Sequence, residues 1–418
     1  MASFPLLYPR QYPRQAGWLI GLIAAIALGA YVADAAGAPR APYFAGQGAR
    51  QSFGLVHGEG CDSDWLGVAY TKNWWDKQGG AEALRAAADR EYACGKMVTP
   101  LMVAHWDGLA PGAIRSAMTN YFAQNPDISV WEFGREENLG GGDGCCSPAQ
   151  LALLEKKLYA VRAARDDANN PSAKIAYQIA NLDLRPFEAF LNSRAARWID
   201  VLAAHPYPWP DFPTPESWHD EWIEGVKRLI AASPYANKKT KIMYTEVGAP
   251  VSGVDAPGDR AQSPLENAQY LVKLHVMAFN AGVERVYWYH GQDTCGDAGN
   301  AECNFGLTAH DGRKRPAYFA YRTLLSCLEG KAAAPAFRAL EAGVRVYEFA
   351  GERGKCLVAW TYAPGVTQRH APTLPVVKLP IRTLTDARAA VVRDVTGAIT
   401  SYVDGLTLSP SPVFIETF

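Results

Sequence analysis

The sequence predicts an α/β chain: a (β/α)8 TIM barrel with a C-terminal antiparallel β-sandwich domain and an N-terminal membrane or signal segment. Three observations carry that prediction. From about residue 53, short apolar runs alternate with helix-period segments, the pattern of repeated β-α units. After about residue 335 the pattern changes to apolar/polar alternation broken by turn residues. Residues 16–33 form an unbroken apolar or small stretch behind Arg10 and Arg14. The expected division is 1–40 for the leading segment and linker, 41–334 for the barrel and 335–418 for the β domain.

The leading stretch comes first. Its eighteen residues are at the lower limit for crossing a bilayer and long for the apolar region of a signal peptide. Ala33-Asp-Ala35 offers a small-residue cleavage site, so a cleaved signal and an uncleaved anchor both stay open. Arginines on its N-terminal side place that end in the cytoplasm and the rest of the chain outside. An exported, periplasmic or extracytoplasmic protein follows, associated with the inner membrane if the segment is retained.

The barrel strands are expected at 53–57, 66–70, 97–104, 128–133, 174–179, 199–205, 242–247 and 286–289. Helical segments fall at 80–94, 111–122, 148–166, 215–232 and 264–281. Ser147-Pro148 and Ser263-Pro264 read as N-cap and first helical residue, and Thr214-Pro215 fits the same pattern. Little room exists for a helix between the first two strands. A last barrel helix runs over 316–327, and strands at 344–349, 357–362, 376–379, 389–394 and 413–416 make up the β domain.

Composition narrows the partners. The net charge is −1, from 41 basic and 42 acidic side chains, with no basic stripe, so nucleic acid is not expected. Twelve Trp and twenty Tyr supply faces that can stack on sugar rings. Eight Cys in an exported chain permit disulfides, and Cys295 with Cys303, bracketing a Gly/Asp/Asn-rich loop, is the expected pair. The adjacent Cys145 and Cys146 are expected to pair elsewhere. No phosphate-binding loop, dinucleotide fingerprint or metal-ligand spacing occurs, so no cofactor or metal is expected. Gly140-Gly-Gly142 reads as a loop at the barrel mouth, and the chain is expected to act as a monomer.

Two glutamates then stand out. Glu136 lies in Trp131-Glu-Phe-Gly-Arg-Glu-Glu-Asn138, and Glu246 in Lys241-Ile-Met-Tyr-Thr-Glu-Val-Gly248. Each follows an apolar or aromatic run near a glycine, where a barrel strand delivers a side chain to the C-terminal mouth. Counting strands puts Glu136 after the fourth and Glu246 after the seventh. Two carboxylates so placed are what glycosidic cleavage needs, one holding a proton and the other ionised. His205 and Tyr207 end the sixth strand and Trp288 lies on the eighth; Trp106 at the end of the third and Trp209 in the loop after the sixth are candidate sugar platforms, with core or surface packing as the alternative.

The Trp131–Asn138 segment resembles the W-E-x-x-N-E-x-N motif around the acid/base of clan A glycoside hydrolases, especially family 39. Thr245-Glu246-Val-Gly248 is similar to that clan's nucleophile strand. Asp311-Gly-Arg-Lys-Arg-Pro-Ala-Tyr318 resembles the D-G-x-x-x-P-A-Y that opens the last barrel helix in many members. The resemblance spans roughly 53–418 and, with the membrane-proximal N-terminus, is nearest to Psl-type exopolysaccharide-pathway hydrolases. It implies retaining hydrolysis of a polysaccharide, with Glu136 as acid/base, Glu246 as nucleophile, Trp288 under the reacting sugar, and His205 and Tyr207 beside Glu246. One position departs from the pattern: the clan's Asn before the acid/base is Arg135 here, a longer, charged, donor-only side chain. Arg135 is expected to contact a 2-substituent or a uronate carboxylate, or to turn away into a salt bridge, with Glu132 or Glu137 offsetting its charge. An exo-glycosidase of the same clan and a non-catalytic carbohydrate-binding scaffold are the alternative readings.

Overall fold

The computed structural model describes residues 52–417 except 59–67, 74–78, 104, 107, 140–145, 209–213, 252–261, 333–334, 341–342, 353, 363–375, 386–389 and 401–404. The apolar stretch 16–33, Cys61, Cys145, Trp209 and the glycine loop 140–142 lie outside the described residues. Among the described residues no helix is long and apolar enough to cross a membrane.

Eight parallel strands form one sheet: β1 (Phe53–Val56), β2 (Tyr70–Asn73), β3 (Met97–Pro100), β4 (Val130–Phe133), β5 (Lys174–Ala180), β6 (Val201–His205), β7 (Lys241–Val247) and β8 (Val286–Trp288). Their order runs β3-β2-β1-β8-β7-β6-β5-β4. A bridge between Leu101 and Glu132, with Met102 N–H donating to the Glu132 carbonyl, brings β3 and β4 together and closes the barrel. The helices are α1 (Gly80–Ala93), α2 (Pro111–Gln124), α3 (Pro148–Asp167), α4 (Leu184–Leu191), α5 (His219–Ala232), α6 (Pro264–Asn280) and α7 (Pro316–Leu328).

The local signals explain most helix starts. Ser147 and Ser263 each cap the third backbone N–H of their helix, Gln150 and Glu266 reach back, and Pro148 and Pro264 take the first helical position. These are complete capping boxes. The Thr214 cap does not form. Pro215–Ser217 make one tighter turn and α5 begins only at His219, because Glu216 is drawn to Lys273 Nζ (2.9 Å) and Trp360 Nε1 (2.7 Å).

Strand alternation sorts the side chains. Trp131, Phe133, Leu202, Ala204, Tyr244, Val286 and Trp288 face outward into the helix layer. Val130, Ala176, Val201, Ala203 and Met243 fill one part of the barrel interior, and Val56, Ala69, Tyr70 and Tyr287 another. The second strand begins at Tyr70, four residues later than the sequence suggests, and this places Lys72 inside the barrel rather than beyond the strand.

After α7 come β9 (Ala336–Leu340), β10 (Val344–Gly351), β11 (Gly354–Thr361), β12 (Val377–Leu379), β13 (Ala390–Arg393), β14 (Leu406–Leu408) and β15 (Val413–Thr417). Five of them form an antiparallel sheet, β13-β15-β11-β10-β9, and β12 with β14 forms a small second layer. One face of the larger sheet (Tyr347, Phe349, Val358, Trp360, Phe414) joins the barrel's hydrophobic core. The other (Val344, Val346, Leu357, Ile415) packs under Leu406 and Leu408. The domain is thus a lopsided sandwich docked on the barrel. Cys327 on α7 bonds to Cys356 on β11, and Arg345 pairs with Asp220 at 2.9 Å across the same junction. Cys295 and Cys303 are bonded as expected, and Cys94 and Cys146 are each in a disulfide.

Candidate active site

The loop after β4 is shaped to present one side chain. Gly134 has φ 113°, a conformation open to glycine, and a Cβ there would meet Gln178 Cγ at 2.8 Å. Glu137 then ties the loop down, accepting from Trp106 Nε1 at 2.5 Å, Tyr177 Oη at 3.1 Å and the Arg135 backbone at 3.1 Å. Asn138 pairs with both backbone groups of Ala180 at the end of β5. Glu136 is held between these anchors in the left-handed region, φ 52°, its side chain about one-third exposed at the barrel mouth.

Glu246 arrives by a different device. The β7–β8 register moves from Tyr244 opposite Val286 to Val247 opposite Trp288, three residues against two. That bulge lets consecutive residues, Thr245 and Glu246, both turn inward, the re-aiming that bulges perform beside functional sites. Gly248 follows, and a Cβ there would collide with the Tyr289 carbonyl at 2.3 Å.

Beneath the two glutamates lies a buried floor. Lys72, Glu132 and His205, from β2, β4 and β6, all point inward and are 1% exposed or less, as one layer of a barrel draws on alternate strands. Lys72 Nζ stands 2.9 Å from both Glu132 Oε1 and Glu246 Oε1. His205 Nε2 lies 3.0 Å from Glu132 Oε1 and from Thr245 Oγ1, and Nδ1 lies 2.7 Å from Glu136 Oε1. Thr245 donates to Glu132 at 2.9 Å and Tyr207 to Glu246 Oε2 at 3.2 Å. Oxygens of Glu136 and Glu246 and a nitrogen of His205 lie within 4.8 Å of one another. On the other side of this group, the Lys72 ammonium lies 3.4 Å from His205 Nε2 and 2.9 Å from Glu246 Oε1.

The electrostatics follow from burial and pairing. Burial would raise the Glu132 carboxyl, yet Lys72 and His205 bring it down to about 2. Burial likewise opposes ionisation of Glu246, and Lys72 with His205 overcomes it, holding the carboxyl below its ordinary value. Burial would lower His205, but Glu246 and its bonds to Glu132 and Glu136 raise it to about 9. His205 is therefore an imidazolium at neutral pH, donating from both nitrogens. A raised pKa gives stability that is complete below 6.5, the ordinary value, and is lost as pH rises through about 9. The stability difference between the native chain and His205→Gln should shrink by on the order of 3 kcal/mol over that interval, read by urea unfolding at each pH. A difference that stays constant from pH 6 to 10 would mean His205 is not charged in the folded state.

Several expected residues sit elsewhere. Trp288 is fully buried on the helix side of β8, its ring near those of Tyr270 and His275 on α6, so it cannot lie under a sugar. Tyr289, the next residue, faces the mouth instead, its ring 6.1 Å from that of Tyr207 and 5.4 Å from that of Phe305. Trp106 is also no platform: it is 1% exposed, packed on Phe133 and Tyr177, and its indole serves Glu137. Arg135 is exposed. Of the carboxylates expected to offset it, Glu132 is in the floor, and Glu137 accepts from Trp106, Tyr177 and the Arg135 backbone N–H. Lys72, Thr245 and Tyr289 were not expected. Lys72 carried one signal, a lysine two positions beyond an apolar strand pattern.

The chain matches no family model and no curated protein sequence. Among solved structures it is similar to a family 39 glycoside hydrolase from Bacteroides cellulosilyticus, with TM-score 0.64 and 17% identity over 88% of this chain and 81% of that one. A glucosidase from Croceicoccus marinus gives TM-score 0.58 and 12% identity over 89% and 97% of the two chains. The GH51 arabinofuranosidase of Xanthomonas axonopodis pv. citri gives 0.55 and 13% over 89% and 97%. At such identities the likeness is one of architecture: this chain shares the barrel-plus-β-domain fold on which those glycoside hydrolases are built.

Proposed function

We propose that the chain is a retaining glycoside hydrolase, acting within an exported polysaccharide, with Glu246 as nucleophile and Glu136 as acid/base. The observation that carries this is the approach of the two carboxylates, within 4.8 Å oxygen to oxygen. Retaining pairs stand about 5–5.5 Å apart and inverting pairs about 6.5–9.5 Å, because only the latter must admit water between carboxylate and sugar. The unequal surroundings assign the roles. Glu246 is buried and paired with Lys72, so it is the ionised partner. Glu136 is at the rim, where a leaving group and then water can reach it.

In the first step Glu246 attacks the anomeric carbon, the C–O bond breaks, and Glu136 gives its proton to the departing oxygen. In the second, water attacks the glycosyl-Glu246 ester, Glu136 takes the water's proton, and Glu246 is released. Tyr207 and Lys72 hold Glu246 in line, and His205 holds Glu136. An extracytoplasmic location, through the apolar stretch at 16–33, and a place among Psl-type exopolysaccharide hydrolases belong to the same reading, as does a rim role for Arg135.

Two measurements test it. A screen of linear polysaccharides for new reducing ends should find one substrate whose cleavage falls about 100- to 10,000-fold in Glu136→Gln. A 2-fluoro glycosyl fluoride should label Glu246 stoichiometrically. An active enzyme that takes no label and releases the inverted anomer would overturn the retaining assignment, and a chain that binds glycans without any turnover would make it a scaffold.

A further inference from the structure

The described residues around the reacting pair include a third acidic group that the hydrolysis steps leave unused. Glu302 lies in the short turn Ala301–Cys303, closed by the Cys295–Cys303 disulfide, and is exposed at the rim. Tyr289 Oη donates to its Oε2 at 3.4 Å, and it has no cationic partner among the described residues. Loss of water around the carboxylate head, and then the charges of Glu246 and Glu136, push its carboxyl upward, against the bond from Tyr289. Between Glu302 and Glu246 stands a wall of three rings. Tyr207, Tyr289 and Phe305 meet edge to face at 5.4–6.1 Å, and Tyr207 is the residue bonded to Glu246.

A buried polar side chain adjoins this wall. His290 is 1% exposed, its ring 4.6 Å from that of Tyr289 and 6.1 Å from that of His57. Among the described residues its ring nitrogens have no side-chain partner, and the backbone of Gln292 and Glu302 lies against the ring. Burial, then His57, lower it to about 4, so it backs the wall as a neutral imidazole.

The charges decide what such a wall can take. Lys72 is already engaged by Glu132 and Glu246, and His205 by Glu132 and Glu136. A uronate or sulfated sugar placed beside Glu302 would therefore meet a carboxylate, with neither Lys72 nor His205 available to it. Aromatic faces flanked by a carboxylate suit an ammonium group instead.

We propose that this wall selects a sugar bearing a free amino group, with Glu302 accepting from the ammonium and Tyr207, Tyr289 and Phe305 forming the aromatic side of the pocket. The inference rests on the hydrolase reading for its setting but not for its test, which is binding. De-N-acetylated oligosaccharides of glucosamine and galactosamine, and the same oligosaccharides re-acetylated, are titrated calorimetrically into the full chain and into Glu302→Gln at low salt. At least one amine-bearing oligosaccharide should bind about tenfold tighter than its acetylated form. Glu302→Gln should erase most of that preference while leaving the acetylated affinity unchanged, and raised salt should weaken only the amine-bearing ligand. Equal affinities, no binding of either amine form, or a preference retained in Glu302→Gln would overturn the proposal. No preference in the native chain, alongside intact cleavage of a neutral polysaccharide, would overturn the amino-sugar assignment and leave the hydrolase in place. Absent turnover with the preference intact would do the reverse.

Discussion

Glu246→Gln should lose turnover by about ten-thousand-fold or more on whichever polysaccharide the native chain cleaves, with little change in substrate affinity. The amide keeps the shape and the Tyr207 contact but cannot attack the anomeric carbon, and removing a nucleophile typically costs that much. The fold should survive, because Lys72 still has Glu132 at 2.9 Å as a counter-charge. The informative readouts are kcat from single-turnover experiments and the far-UV spectrum, taken together. Unchanged spectrum with abolished chemistry supports the nucleophile. A loss below about tenfold would remove Glu246 from the reaction.

Lys72→Met should unfold the chain more easily, by about 3–5 kcal/mol, the range for breaking a buried ion pair from one side. Two carboxylates depend on this ammonium. Glu132 is fully buried and Glu246 is 8% exposed, and without Lys72 only His205 would offset them. Both would then be pushed towards protonation, so activity should fall together with stability as Glu246 loses its charge at neutral pH. Adding Glu132→Gln to Lys72→Met should restore part of the stability, since the more deeply buried of the two anions is removed with its partner. The sum of the single effects should exceed the double, as expected for residues in contact. Urea unfolding of the three variants reads this directly. A Lys72→Met change under about 1 kcal/mol would mean that the floor is solvated and the ion pairs weak.

Much of the site was legible before any coordinates. The residues of Trp131–Asn138 place a carboxylate just past the fourth strand, and those of Lys241–Gly248 place one at the end of the seventh. Parallel strands end at one mouth, so strand count alone brings the pair together. His205 and Tyr207 were legible for the same reason. The Cys295–Cys303 bond could be read because the two cysteines lie eight positions apart across a turn-rich loop. The β domain's alternation was legible too, although β9 and β14 were not: β9 is mostly exposed or half-buried, and β14 has three residues.

The misses have a shared cause. Barrel strands are buried on both faces, so their sequences read as continuous apolar runs without the alternation that marks inside from outside. Val286-Tyr-Trp-Tyr289 offers three aromatic rings in a row, and nothing in the run says which of them faces the mouth. Trp288 was the natural choice for a sugar platform, yet pairing with Leu55 and Val247 fixes it outward. Lys72 was lost to a strand boundary placed at 66–70 rather than 70–73.

By itself the sequence determined the repeated β-α plan, the change to an antiparallel domain, and the two acidic side chains carried to one rim. These are local properties, set by period, by capping and turn residues, and by position along a strand. Only the tertiary structure decided that Lys72, Glu132 and His205 share one layer beneath the rim, that a bulge turns Thr245 and Glu246 inward together, and that Tyr289 rather than Trp288 lines the cavity. Those depend on register between strands far apart in the chain, and a shift of one residue exchanges the inside of the barrel for the outside.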